Sequence, residues 1–408
     1  MSNNPLEPNP YNIFILSETG RPIFASCGEE NRYSDLFALI TVLVKKTEEN
    51  SDSLQTIQAN DLHIVFMLKS YMIFCIVSKF PFNLTQQLQL VYHQVLSLLP
   101  TDHIKRTLGT HANYDIRSLL KGFNKSVCTY VEEWKHNPTY FFSGVGLFPM
   151  MPSDRSFITN TLDSIIKEVN EDENITFAMI ISRKKLVTSV KTTSHTLSAS
   201  DTNIVINLIE CNPPMIKEME IYVPICLPTI SSRGYFHAYF CYPWENIDAC
   251  LVIICRKVDS FQESKLVKTK FVETFEEYKR FSEILELFGT VEGFKIPSPQ
   301  LDFLWHFIYK DTESSHIMTS MTKVPFITEK ERDHLNYTYH RINDLMCSKK
   351  KPKFIFNTNP DYNLLAMVGD NYELYVILNP TTNSHDAIDL CEKLLKFVRK
   401  EEKRFLLL

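Results

Sequence analysis

Residues 12–27, NIFILSETGRPIFASC, decide the fold. Two apolar runs of strand length, 12–18 and 22–27, flank Thr19-Gly20-Arg21, and a glycine-centred break between β-formers predicts a hairpin. Downstream a helix is expected over about 31–46, then strands near 54–59, 63–69 and 71–79. A second helix is expected over about 84–99, where Leu84, Leu88, Val91, Val95 and Leu98 recur at helical spacing. The order is ββαβββα.

That order returns twice. FAMIIS (177–182) and LVTSV (186–190) flank Arg183-Lys184-Lys185. A helix over about 199–211 follows, then strands near 218–226, 233–242 and 249–256, and one long helix over about 263–285. From residue 302, FLWHFIY pairs with SHIMTSM. A helix covers about 328–347, strands lie near 352–357, 362–368 and 372–379, and a last helix runs over about 384–404. Each copy describes a five-stranded antiparallel sheet flanked by helices, an α/β chain of the α+β type with one core per copy. The expected modules are 1–136, 137–296 and 297–408, with proline-marked linkers at 149–152 and 296–299. Helices near 114–134 and 154–169 and a strand-like run at 139–147 belong to no repeat.

Length agrees with several cores, since 408 residues exceed one ordinary domain. A net charge of −5 gives no electrostatic case for nucleic-acid binding. No apolar run is long enough to span a bilayer, and the polar, proline-rich start is unlike a signal peptide. Cysteines such as Cys75, Cys241, Cys250 and Cys255 sit in strand-like runs, which predicts reduced, buried thiols and a cytosolic chain.

The sequence carries no recognisable chemical site. With only 10 glycines it has neither a P-loop nor a dinucleotide-binding glycine pattern. A Gly-x-Ser-x-Gly elbow and a His-Glu-x-x-His helix are also absent. His63 and His237 lie in strands and are expected to be structural, so no metal and no cofactor are expected. Basic clusters remain: Lys349-Lys350-Lys351-Pro352-Lys353, Arg183-Lys184-Lys185, and Lys265, Lys268, Lys270, Lys279 and Arg280. They read either as solvated surface or as contacts to anionic lipid.

The first module's early helix is too apolar for a surface helix. Tyr33, Leu36, Phe37, Leu39, Ile40, Val42, Leu43 and Val44 cover more than the ~100° stripe that one sheet needs. Either another part of the chain covers the second side, or a partner does. The second module's helix (Asn203, Ile204, Val205, Ile206, Leu208, Ile209) is apolar in the same manner, whereas the third, with Glu329, Lys330, Glu331, Arg332, Asp333 and Arg341, is amphipathic.

Several segments resemble one known family. Phe14-Ile15-Leu16-Ser17-Glu18-Thr19-Gly20-Arg21-Pro22-Ile23-Phe24 and Tyr114-Asp115-Ile116-Arg117-Ser118-Leu119-Leu120-Lys121-Gly122 are two of them. The most specific is Pro224-Ile225-Cys226-Leu227-Pro228, followed by Gly234-Tyr235-Phe236-His237-Ala238-Tyr239. They resemble the SAND family of vacuolar and endosomal fusion proteins, the monensin-sensitivity group, over nearly the whole chain. Two departures stand out. The family usually carries a long acidic N-terminal extension, where about ten residues precede the first strand here. It also tends to show a basic residue and Phe-Asn after the second-module proline, where Thr229-Ile230-Ser231 stand.

The resemblance implies three longin modules and a heterodimer with the calcium-caffeine-zinc sensitivity protein, paired through the first modules. It further implies guanine-nucleotide exchange on the late-endosomal Rab-seven GTPase, recruitment by active Rab-five and anionic phosphoinositides, and a peripheral place on endosome and lysosome or vacuole membranes. Exchange of this kind is non-covalent, resting on unequal affinity for the nucleotide-bound and nucleotide-free GTPase, and the chain would be no enzyme in the chemical sense. On this reading Phe24, Ser26, Tyr33, Leu36, Phe37, Ile40 and Val44 form the partner and Rab surface, and Lys349, Lys350, Lys351 and Lys353 meet the membrane. The competing readings are a longin-type scaffold or adaptor without exchange activity, and a hydrolase with an unrecognised site.

Overall fold

The first hairpin pairs β1 (Tyr11–Ser17) with β2 (Pro22–Ala25), Phe14 opposite Ala25 and Ile15 opposite Phe24. The computed structural model describes residues 11–26, 28, 30–111, 114–120, 122–170, 172–211, 220–290, 296, 301–348 and 350–405. Gly20 closes the hairpin at φ +89°, and a Cβ there would meet the Thr41 side chain at 2.7 Å. A larger residue would have to strain the turn and displace the helix beside it. That helix, α1 (Ser34–Glu49), follows a 3-10 turn at Glu30–Tyr33. Then come β3 (Thr56–Ala59), β4 (Leu62–Lys69), β5 (Met72–Ser78) and α2 (Leu84–Leu98). The sheet order β2-β1-β5-β4-β3 puts β1 between β2 and β5 and leaves β2 and β3 at the edges. Alternate strand residues Phe14, Leu16, Phe66, Ile73, Cys75 and Val77 share a core with Phe37, Ile40 and Val44 of α1. Leu84, Leu88, Val91 and Val95 of α2 are buried as their spacing predicts. Helices α3 (Thr101–Leu108) and α4 (Phe123–His136) complete this part, with Phe123 edge-on to Phe24 at 5.4 Å.

By compactness, residues 1–133 and 225–235 form one unit, and 134–224 with 236–408 another. The second unit begins with α5 (Pro138–Phe141), β6 (Val145–Gly146) and α6 (Pro152–Val169). The second copy continues with β7 (Ile175–Ser182), β8 (Lys185–Lys191), α7 (Ala199–Cys211), β9 (Ile221–Leu227), β10 (Ser231–Cys241) and β11 (Ala249–Cys255), residues 225–235 of β9 and β10 being counted with the first unit. The sheet order is β8-β7-β11-β10-β9, the same as in the first copy.

The single long helix expected at 263–285 is two, α8 (Phe261–Glu276) and α9 (Phe281–Gly289). The break carries Arg280 Nη1 to both oxygens of the Asp154 carboxylate, at 2.9 and 2.7 Å, and the Tyr278 hydroxyl to it at 3.2 Å. Asp154 is buried, so its charge requires that partner. Phe271, Phe275, Ile284 and Phe288 join α6, β7, β8 and β11 in one core.

The third copy comprises β12 (Leu304–Asp311), β13 (His316–Thr319), α10 (Glu329–Met346), β14 (Phe354–Thr358), β15 (Asn363–Val368), β16 (Tyr372–Leu378) and α11 (Ser384–Phe405). Thr328 opens α10 with a capping box. Its hydroxyl accepts the Glu331 N–H at 3.3 Å, and the Glu331 carboxylate accepts the Thr328 N–H at 2.8 Å.

The run at 139–147, which had no place in the repeat, is the short helix α5 followed by β6. Strand β6 lies parallel to β13 and gives the third sheet a sixth strand, in the order β14-β15-β16-β12-β13-β6. One residue later Leu147 bridges Leu186 of β8, and the Phe148 N–H donates to the Leu186 carbonyl at 2.9 Å. Residues 145–148 therefore stitch the second and third sheets edge to edge. Gly144 makes the approach possible, since a Cβ there would lie 2.3 Å from the Ile317 side chain. Most of the 296–299 linker lies outside the described residues.

Candidate functional site

Two stripes run along α1, and ideal helix geometry separates them. Phe37, Ile40, Thr41 and Val44 fall at i, i+3, i+4 and i+7 and are buried against the sheet. Phe14 sits edge-on to Tyr33 at 5.4 Å and to Phe37 at 5.9 Å. Thr41, at one margin, touches the Gly20 turn and donates its hydroxyl to the Phe37 carbonyl at 2.7 Å. The other margin continues into Leu36, Leu43, Leu39 and Val42. Leu36 and Leu43 are half-buried, while Leu39 is 55% and Val42 60% exposed.

This second stripe runs round the back of the helix, and its exposed members Leu39 and Val42 lie on the side turned away from the sheet. On the sheet side, Leu54, Ile57, Leu62, Ile64 and Leu68 pack against the α1 core and are only partly covered. At the edge of this sheet, Thr56, Gln58 and Ala59 of β3 are exposed.

Of the residues expected at the partner surface, Phe24, Tyr33, Phe37, Ile40 and Val44 are buried in the module's own core. Ser26 is half-buried, and its hydroxyl accepts the Ile13 N–H at 2.8 Å. Leu36 alone of the seven lies on the open stripe. Leu39, Val42 and Leu43 were missed as site residues, although all stand in the same apolar run; their helical phase is the signal that separates them from the core.

The basic clusters also divide. Lys265 and Lys268 converge on Glu220 at 4.0 and 3.1 Å, Lys270 reaches Glu168 at 2.6 Å, and Arg280 is held by Asp154. Arg183 donates to the Phe288 and Gly289 carbonyls at the end of α9, at 2.8 and 2.5 Å. Lys350, Lys351 and Lys353 stay exposed just before β14. Lys349 lies outside the described residues.

No group of His, Cys, Asp and Glu among the described residues has a metal-binding arrangement. His237 stacks on Tyr222 at 5.7 Å, and both it and His63 are half-buried in strands. A cavity of about 180 Å³ opens between α10 and residues 357–364. On its wall His334 Nε2 bonds the Tyr362 hydroxyl at 3.1 Å and that hydroxyl bonds Thr338. No helix among the described residues is long and apolar enough to cross a membrane.

The segments that carried the resemblance have structural roles. Asp115 opens a 3-10 turn at Ile116–Leu119, and its carboxylate accepts from the Arg117 backbone at 3.1 Å and from the guanidinium at 2.9 and 2.6 Å. Those bonds hold the Asp115 carboxyl down at about 2. Ile225, Cys226 and Leu227 are buried, and the Tyr235 hydroxyl donates to the Leu98 carbonyl at 3.1 Å.

Three family models match in chain order. Residues 11–129 match the first Longin domain of FUZ, MON1 and HPS1, residues 173–273 the second, and residues 303–402 the third. Vacuolar fusion protein MON1 homolog A of Gallus gallus is 27% identical over 403 residues, covering 97% of this chain and 72% of that protein. The human homolog A is 25% identical over 400 residues, covering 97% of this chain but 60% of the human protein's length. Protein SAND of Takifugu rubripes is 27% identical over 416 residues, covering 100% of this chain and 78% of that protein. Three sheets of one strand order and these three matches give one answer: the chain belongs to the SAND family of vacuolar fusion proteins and is built of three longin domains.

Proposed function

We propose that this chain is one subunit of a heterodimeric guanine-nucleotide exchange factor that activates the late-endosomal Rab-seven GTPase. Its partner is the calcium-caffeine-zinc sensitivity protein, docked on the first module. The complex drives Rab-five to Rab-seven conversion, endosome maturation, fusion with the vacuole or lysosome, and autophagy. The observation that carries this reading is the open apolar stripe of α1. Helix α7, its counterpart in the second module, is buried from Asp201 to Asn207, and its Asn203 amide donates to the Gly144 carbonyl at 3.0 Å. Helix α1 has the same apolar excess and leaves Leu39 and Val42 in water. Two related helices, one sheathed within the chain and one not, are what a module reserved for a second polypeptide would contain.

Exchange on this reading uses no nucleophile, acid or base. The dimer binds the nucleotide-free GTPase more tightly than the loaded one, and the difference in affinity sets how far release is favoured. Active Rab-five and anionic phosphoinositides bring the complex to the endosome, with Lys350, Lys351 and Lys353 among the groups facing the lipid. The test is release of a fluorescent guanine nucleotide from Rab-seven, with this chain alone, its partner alone and both together. Acceleration by the pair supports exchange. A stable pair that leaves release unchanged would leave a longin-type trafficking scaffold, for which the same α1 face is equally suited.

A further inference from the structure

Helix α10 has one flank covered by the chain and one left open. The covered flank meets residues 134–142: the His340 ring lies 3.9 Å from that of Phe141, and the Asn343 amide donates to the Phe141 carbonyl at 2.9 Å. On the opposite flank His334, Tyr337, Arg341 and Leu345 recur at helical spacing and line the cavity of about 180 Å³. Residues 357–362 form the facing wall, where the Asn359 N–H donates to the Tyr362 carbonyl at 3.1 Å. At the His334 end this wall meets the loop before α10, anchored by Phe326, whose buried ring is edge-on to Tyr362 and to Trp305, both at 6.3 Å. Beside that anchor Val324 is 67% and Ile327 61% exposed. Among the described residues, Arg341 and Asp361 have no ion-pair partner, and the Asn357 and Asn359 amides no hydrogen bond.

We propose that this groove takes an extended peptide segment of another protein, with an apolar side chain against Val324 and Ile327 and a carboxylate on Arg341. It belongs to the third module, whereas the subunit partner proposed above docks on the first. From His334 to Leu345 the helix rises about 16 Å, which about five extended residues span. From His334 to Arg341 it rises about 10 Å, so the acidic side chain should stand about three residues from the apolar one. A guanidinium fork holds a carboxylate through two parallel N–H donors. An asparagine amide both donates and accepts, so Asn357 and Asn359 match the N–H and C=O groups of a peptide main chain. Asp361 would repel the phosphates of a bilayer or a nucleic acid but can accept a main-chain N–H. Exposed Tyr337 and Leu345 mix apolar with polar surface along the rim, as protein-binding sites do.

The experiment is a random heptapeptide phage library panned on the full chain, with the R341A/N359A variant as counter-selection. Selected peptides should share an apolar and an acidic residue about three positions apart. In fluorescence polarisation R341A should weaken their binding about tenfold or more, and R341K nearly as much, because the charge remains but the fork is lost. V324D/I327D should weaken it as well. Arg341, Val324 and Ile327 are exposed and Asn359 is half-buried, so all these variants should melt with the parent. If no peptide survives the counter-selection, or the survivors carry no acidic residue, the proposal is overturned. It is overturned equally if R341A loses only binding to phosphatidylserine vesicles, which would make the groove a lipid site.

Discussion

Replacing Leu39 and Val42 together by alanine separates docking from folding. Leu39 is 55% and Val42 60% exposed, so about half of each side chain's apolar surface remains in water for a partner to cover. Complete burial of such a side chain contributes about 1.5–3 kcal/mol, which leaves about 1 kcal/mol for each and about 2 kcal/mol for the pair. The partner's Kd should therefore rise roughly 30-fold. Neither side chain belongs to the α1 core, so the variant should melt with the parent. Phe37→Ala is the converse control: that ring is 1% exposed, and its loss should cost about 3–5 kcal/mol of stability. Titration calorimetry with the purified partner, beside thermal unfolding of each chain, reads both effects. A folded L39A/V42A variant that binds the partner with parental affinity would refute the assignment of this stripe to docking.

Further expectations concern the second and third modules. Arg280→Ala leaves the buried Asp154 carboxylate with the Tyr278 hydroxyl alone and should lower its module's midpoint in urea unfolding, with Asp154→Asn milder. Gly144→Ala forces a Cβ into Ile317 and should loosen the seam between the second and third sheets, read as faster amide exchange at 145–148. His306 shares a hydrogen bond with the Tyr339 hydroxyl, and His340 lies between the Trp134 and Phe141 rings; burial pushes both down to about 4. These rings stay neutral in the fold but gain a proton near 6.5 when unfolded, so each should withdraw on the order of 3 kcal/mol of stability as pH falls from 6.5 to 4, and nothing further below. His306→Gln should flatten that slope in pH-dependent melting, and an unchanged slope would show that the ring does not drive it.

The hairpin and the threefold order were legible because both rest on local periodicity, which β1 and α2 keep residue by residue. The break between α8 and α9 was not. Its cause is Asp154, 126 residues from Arg280, and nothing local marks Tyr278-Lys279-Arg280 as a helix end. The strand-like run at 139–147 was visible but its place was not: β6 is defined only by pairing with His316 and Ile317 of β13, far along the chain. The site was half legible. Composition singled out α1 as too apolar for one sheet, and Leu39 and Val42 are indeed exposed, but choosing its largest side chains selected Phe37 and Tyr33, which are buried. Composition also makes α7 look like α1; the difference arises from Gly144 and β6, which the chain brings to α7 from more than fifty residues away.

The sheet edges suggest where a partner belongs. Strands β8 and β13 spend their outer sides on residues 145–148, and β2 is flanked by the 3-10 turns at Glu30–Tyr33 and Ile116–Leu119. Strand β14 stays at an edge but is preceded by Pro352 and Lys353, residue types that discourage another strand from pairing. Strand β3, Thr56-Ile57-Gln58-Ala59, has no such guard, and its Ile57 packs only partly covered against the α1 core. An edge without charge beside uncovered leucine is a liability when it meets only water. The chain without its partner should therefore self-associate as concentration rises, and the partner should dissolve those oligomers into a one-to-one complex. Sedimentation velocity over a concentration series reads this directly. A chain that stays monomeric throughout, with Leu39 and Val42 intact, would mean that the open stripe costs too little to need covering.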